Sequence, residues 1–460
     1  MQDLAFLAFR RHQVGTSIMW RRPSMRSATL TRSTTAASRA PSETPERQSS
    51  VGVSLGIAAV AAVFHVATVL VVHVQTRGAA QFPDARGYDE ASTQIAAAWA
   101  HGESFSMSLL SRLSGSEMWG YQTVMALGKI MTGGDWLAAK VVLALMAATG
   151  APAAHRLGVT AGCGNRRAAF AGLIVSVSPN LLLWDAWGLK DGLLTTLVLW
   201  TLLLQAKARF WLACAGSLLS IQACLYTRPA AALFLVVALL SRARLSRSHL
   251  TGWLIIGAAA AFFLLPRATT LFSLVGSLEV KEGVALDFSA GYGSRNLLRN
   301  PEQIFVCLFG PFPWSFGPNT AGPMRWLYLG TTIWIASLAL APAALRKGWA
   351  DTTKLGRPLI LASIAYTSTY IVTFGATFFR QRSLLECMLI TLIALYLPLS
   401  PAAAMKRIHM WLAVVAGLAV VQSPNLTPTM WSKVLAVCVL IAAGFMTLRP
   451  CQLNNLARRF

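Results

Sequence analysis

The chain has 460 residues, 55% of them hydrophobic and 12% charged, with a mean hydropathy of +0.54. A soluble protein carries about twice that charged fraction, so an ordinary water-soluble globule is excluded and most of the chain belongs in lipid. The formal net charge of +23 would suit a phosphate-rich polymer. The basic residues, however, fall in short clusters between apolar runs, as cytoplasmic loops do under the positive-inside rule. A lipid bilayer is therefore the expected partner, and nucleic acid is not.

The apolar runs are about the 20 residues that a helix needs to cross a hydrocarbon core, and they lack the alternation of a membrane β-barrel. The sequence predicts an all-α, polytopic transmembrane helical bundle. Seven cysteines (Cys163, Cys214, Cys224, Cys307, Cys387, Cys438 and Cys451) form no CxxC pair or metal-spaced cluster, so no disulfide is expected.

Residues 1–50 hold eight arginines among many Ser, Thr and Ala and read as a disordered basic cytosolic tail able to meet anionic lipid. The first span is expected at Val51–Val74, its N-terminus held inside by those arginines. The loop 75–134 is then extracytoplasmic. It opens with Phe82-Pro83-Asp84-Ala85-Arg86-Gly87-Tyr88-Asp89-Glu90, and continues into weakly amphipathic segments around 95–113 and 119–131, expected to lie in the membrane interface.

Further spans are expected near 136–155, 168–182, 189–206, 209–224, 229–242, 250–267, 325–345, 358–378, 383–400, 410–423 and 431–448. About twelve spans over a domain 51–448 return both termini, including a tail at 449–460, to the cytoplasm. The strong basic clusters (Arg156/Arg166/Arg167, Lys207/Arg209, Arg242/Arg244/Arg247, Arg346/Lys347/Lys354/Arg357, Lys406/Arg407, Arg458/Arg459) then share one side. The outer side receives a second long loop, 268–324.

This threading puts Asp84, Asp185, Lys190, Asp191, Arg228, Arg380 and Arg382 at the outer boundary. An ionised group in lipid costs at least about 2.5–3.5 kcal/mol on insertion scales, which favours one shared polar cavity over seven separate burials. Asp84 can serve as a general base or hold a cation; alternatively it is a solvated loop acid. Asp89 and Glu90 read as solvated or paired with Arg86. Pro179 in Ser178-Pro179 breaks one helix, and Asp191 suits the first turn of the next. Lys190 is disfavoured by that dipole and calls for an anionic ligand, or an ion pair with Asp185 or Asp191. Arg228, Arg380 and Arg382 can bind phosphate oxygens in bidentate fashion or snorkel to lipid headgroups. His65 and His73 read as packed histidines, and the aromatics Phe312, Trp314 and Trp326 as interfacial anchors, the commoner case, or as platforms that stack on a sugar ring.

Together, the aspartate loop after the first span, Gly120-Tyr121, the Gly133-Gly134-Asp135 break, Ser178-Pro179, Leu189-Lys190-Asp191, Thr227-Arg228-Pro229 and a late Arg380-x-Arg382 resemble the bacterial GT-C glycosyltransferases. That superfamily includes protein O-mannosyltransferases and lipid A aminoarabinose transferases. The resemblance covers roughly 52–400 and is strongest over 84–240. It implies inverting sugar transfer from a polyprenyl-phosphate donor to an envelope glycan, lipid or protein acceptor, at the outer face of the inner (plasma) membrane. Asp84 matches the essential acid, supported by Tyr88 and Asp89; Lys190, Arg228, Arg380 and Arg382 are the carrier-phosphate candidates, with Asp185 and Asp191 as second acidic candidates. The Glu-Lys-Pro-Pro segment of the aminoarabinose transferases is replaced by Ser116-Glu117-Met118-Trp119-Gly120. Some relatives use a divalent cation, Mg or Mn, and others none, so the metal stays open. The rival readings are a polysaccharide polymerase or ligase using lipid-linked oligosaccharide and, as a different class, a transporter or flippase; charges at span ends and the lack of a clear repeat speak against transport.

Overall fold

A computed structural model describes residues 45–78, 83–115, 119–208, 210–242, 326–350, 355–374, 382–397 and 400–422. The expected spans 250–267 and 431–448, the loop 268–324, Arg380 and almost all of both tails lie outside the described residues. The described regular structure is entirely helical, in fifteen helices: α1 (Pro45–Thr76), α2 (Pro83–Ala100), α3 (Met107–Ser114), α4 (Gly120–Met131), α5 (Trp136–Ala148), α6 (Gly150–Thr160), α7 (Asn165–Ser176), α8 (Pro179–Ala186), α9 (Asp191–Lys207), α10 (Phe210–Leu225), α11 (Pro229–Arg242), α12 (Trp326–Ala350), α13 (Gly356–Phe374), α14 (Arg382–Tyr396) and α15 (Pro401–Gln422).

Prolines open five of these helices. Pro45, Pro83, Pro179, Pro229 and Pro401 each stand first in a helix, where the missing N–H is no loss and φ is already helical. The acidic segment expected as a loop is thus the first half of α2, with Asp84 in its first turn, favoured there by the helix dipole. The expected break at Gly133-Gly134-Asp135 is a stop and restart. Both glycines have positive φ, and the Asp135 carboxylate caps α5 by accepting the Ala138 N–H at 2.7 Å.

Four stretches among the described residues are long and apolar enough to cross a bilayer: Ser50–Thr76, Trp136–Thr160, Asn165–Ala186 and Leu329–Ala350. They overlap the spans expected at 51–74, 136–155, 168–182 and 325–345. The third carries a break at Ser178-Pro179, which adds the short, wholly buried α8 to what read as a simple junction. Helices α10 and α11 are apolar but shorter, and α15 begins nine residues before the expected 410. The described residues therefore make an all-α fold with four membrane-length apolar stretches.

α1 buries Ile57 and Ala61 on one face and leaves Leu55, Val63 and Val74 exposed, the pattern of a helix at a bundle's rim. The main core joins α6, α7, α9, α11, α13 and α14, with Leu157, Leu199 and Met388 at its centre and Phe234 edge-on to Tyr366 at 6.3 Å. Small residues let α6 and α7 approach closely: an added Cβ at Gly158 would lie 2.9 Å from that of Ala168. Close backbone contact of this kind is how helices associate where lipid removes the hydrophobic drive.

Candidate functional site

Helix α8 ends in a turn that fixes Lys190. Gly188 has φ +71°, its N–H donates to the Asp185 carbonyl at 2.9 Å, and the Leu189 N–H donates to the Trp184 carbonyl at 2.9 Å. This pair of bonds is a Schellman motif, which calls for a left-handed residue after the helix. The chain reverses and delivers Lys190 to the start of α9. There the Lys190 ammonium donates to the Thr227 carbonyl at 2.7 Å and lies 5.6 Å from the Tyr88 ring centroid. A carbonyl dipole and an aromatic face offset the unfavourable helix end.

The carboxylates expected as partners for Lys190 also meet other residues. Asp191 meets Arg228 at 2.5 Å, both buried. Asp185 meets His65 at 3.0 Å, also buried, and its carboxylate accepts the Gly192 N–H in the first turn of α9. Thr227 and Arg228 occupy the bend between α10 and α11, so Lys190-Asp191 and Thr227-Arg228 interlock residue by residue.

A third segment closes on the same bend. The Gly120 N–H donates to the Tyr226 carbonyl at 2.9 Å, and a Cβ on Gly120 would fall 2.7 Å from the Thr227 hydroxyl oxygen, so this contact needs glycine. Beside it Trp119 packs on Tyr226 with centroids 4.1 Å apart, and Tyr121 meets Tyr88 edge-on at 5.1 Å. Tyr88 is one turn after Asp84 on α2, and residues four apart share a helix face. Asp84 itself is exposed.

Asp89 departs from expectation. It pairs with the buried Lys129, whose ammonium contacts the Asp89 carboxylate, its carbonyl at 3.0 Å and the Thr93 hydroxyl at 2.5 Å. Arg86 instead takes Glu90, at 2.8 Å and in the open, and that carboxylate raises the Arg86 pKa above its ordinary value. Lys129 reaches Asp89 because α4 packs along α2. Lys129 and a second buried lysine, Lys140, stand 5.4 and 5.2 Å from the Trp136 ring.

Arg382 stands on another helix. It opens α14, is buried, and lies 5.1 Å from the Trp334 ring on α12. One turn on, Glu386 accepts hydrogen bonds from Ser178 (3.2 Å) and Asn180 (2.5 Å), the residues flanking the α7–α8 break. Of the three described candidate cations, Lys190 and Arg228 meet the Thr227 bend and its neighbour Asp191, and Arg382 acts on the Glu386 carboxylate.

Glu386, Lys129 and Lys140 are absent from the residues singled out in the sequence, and His65 read as mere packing. Their signal was present as single ionisable side chains inside otherwise apolar helices, which are rare and need partners. Among the described residues no three His, Cys, Asp or Glu side chains stand together as a metal site would require.

No family model matches the chain, and no curated protein matches it. Among solved structures the chain is similar to the crystal structure of ArnT from Cupriavidus metallidurans in the apo state. That likeness has 16% identity over 90% of this chain and 73% of that one, at a TM-score of 0.48. Similarity at this level decides neither fold nor activity, so the residues must.

Proposed function

We propose that the chain is a GT-C-type membrane glycosyltransferase that moves a sugar from a polyprenyl-phosphate carrier to an envelope acceptor at the outer face of the membrane. The supporting observation is the meeting of Tyr88, Gly120-Tyr121, Lys190-Asp191 and Thr227-Arg228 at one bend, although they span some 140 residues of sequence. Cations held beside an aromatic wall and a turn of exposed helix suit a ligand with a phosphate at one end and a sugar next to it.

In the proposed reaction the acceptor hydroxyl oxygen attacks the anomeric carbon as the bond from that carbon to the carrier phosphate breaks. The electron pair leaves with the phosphate, and the acceptor proton passes to the Asp84 carboxylate. Lys190 and Arg228, preorganised by Thr227 and Asp191, stabilise the charge that develops on the phosphate. A single displacement inverts the anomeric centre. Arg380 and Arg382 are second candidates for the phosphate. Asp89, paired with Lys129, supports α2, and Asp84 is assigned as the base.

Binding of polyprenyl phosphate to purified protein tests this reading before any acceptor is known. Lys190→Met should weaken binding by about tenfold or more, the loss of a charge-assisted contact. Unchanged binding in Lys190→Met and in Arg228→Gln would remove the carrier-phosphate assignment.

A further inference from the structure

Helices α7 and α14 connect the Glu386 group to a second feature. α7 ends at Ser176, next to Ser178 and Asn180, and starts at Asn165; α14 starts at Arg382 and ends at Tyr396. At about 1.5 Å per residue their 12 and 15 residues carry the chain roughly 18–22 Å away. There, between the α6–α7 turn and the ends of α12 and α14, lies an open cavity of about 780 Å³. Three cations line it, Arg166, Arg167 and Lys347, with Leu395 and Tyr396 as its apolar floor, and no carboxylate is among its described lining residues. The rim is held in place: buried His155 bridges Ser54 (2.8 Å) and Asn165 (3.0 Å), and the Cys163 thiol reaches the Leu395 carbonyl at 3.5 Å.

A stripe of apolar surface runs from this cavity along α7. Phe170 (55% exposed), Leu173 (41%) and Val177 (36%) follow Arg166 at spacings of four, three and four residues, which places them on one helix face. Like charges gathered around a rigid recess, with an apolar track leading into the membrane, match the two parts of a glycerophospholipid. Free phosphate would use the cations and leave the track without purpose.

We infer that this cavity is a binding site for an anionic phospholipid of the cytoplasmic leaflet, the headgroup phosphate held by Arg166, Arg167 and Lys347 and one acyl chain lying along Phe170, Leu173 and Val177. Basic pockets between transmembrane helices on the cytoplasmic side hold anionic headgroups in this way, and the positive-inside distribution puts these three residues on that side. The site is independent of the sugar-transfer reading.

Native mass spectrometry of the purified chain with added phosphatidylglycerol, phosphatidylethanolamine or inorganic phosphate tests the assignment. Phosphatidylglycerol should stay bound to the native protein, and R166Q/R167Q/K347Q should weaken it by about a hundredfold. K406Q/R407Q, which removes two cations outside the cavity, should change it little. Phe170→Asn, with every charge kept, should weaken the lipid several-fold and also keeps the test open if the triple variant fails to fold. Equal loss in both charge variants, equal binding of the two lipids, displacement by inorganic phosphate, or no effect of Phe170→Asn would each overturn the site.

Discussion

Two regions of the molecule handle charge in opposite ways. At the bends before α9 and α11, buried charges come with opposite charges or dipoles: Asp191 with Arg228, Asp185 with His65, Lys190 with the Thr227 carbonyl. Where α7 begins, three exposed cations gather around a recess without a carboxylate among the described lining residues. Removing two ions from water costs several kcal/mol each unless the partner is well placed. The first region therefore has little freedom in what it substitutes, since each side chain is the condition of another's burial. In the second region solvent supports the charges, which remain available to a ligand. Burial ties each charge of the first region to a partner that holds it in place, and exposure leaves those of the second region free to adjust.

The largest stability effect should follow from removing one member of a buried pair. Asp191→Ala leaves the Arg228 guanidinium without its carboxylate in an apolar setting and should cost about 3–5 kcal/mol, read as a fall in the unfolding midpoint in detergent. Asp191→Ala with Arg228→Leu should recover most of that loss, because burial without charge is tolerated. Absence of recovery would mean that the pair is not what holds α9 to α11.

A smaller loss is expected where shape alone is at issue. Gly120→Val puts carbon into the space of the Thr227 hydroxyl and the Tyr226 carbonyl, and overpacking of this kind costs about 1–3 kcal/mol. The displaced Thr227 should also move Lys190, so donor binding should weaken more than stability does. At the start of α7, Arg166→Ala should shift stability by no more than about 0.5 kcal/mol, the usual range for surface substitutions. A loss comparable to that of Asp191→Ala would erase the distinction between the two regions.

The sequence makes the helices easier to read than their partners. Hydropathy locates α1 and the long stretches over α5–α6, α7–α8 and α12, because an apolar run is a local property. Pro179 and Gly133-Gly134 mark breaks for the same reason, since they act on their own backbone. Pro83 was visible too, yet the polar residues after it suggested a loop; α4 packing along α2 and Lys129 reaching Asp89 make that segment an ordered helix. Partners are non-local. Nothing adjacent to Lys190 specifies a carbonyl 37 residues away, and nothing near Glu386 specifies Ser178 and Asn180, over 200 residues earlier. His65 appears as packing until Asp185 is placed against it. Of the candidate site, the ionisable residue types at Asp84, Lys190, Arg228 and Arg382 were readable, while the partners each one takes were not.

The proposed sugar transfer is tested most directly at the Asp84 carboxylate. Asp84 is exposed in the first turn of α2, so Asp84→Asn keeps size and should leave folding intact. With purified protein, a polyprenyl-phosphate sugar donor and envelope extract as acceptor, the native chain should transfer sugar with inversion. Asp84→Asn should lower the rate by about 10²- to 10⁴-fold, the usual cost of losing a general base, at an unchanged unfolding midpoint. Near-native turnover by Asp84→Asn alongside an inactive Asp185→Asn would contradict the assignment, and no acceptor-dependent transfer by the native chain would contradict the proposed activity.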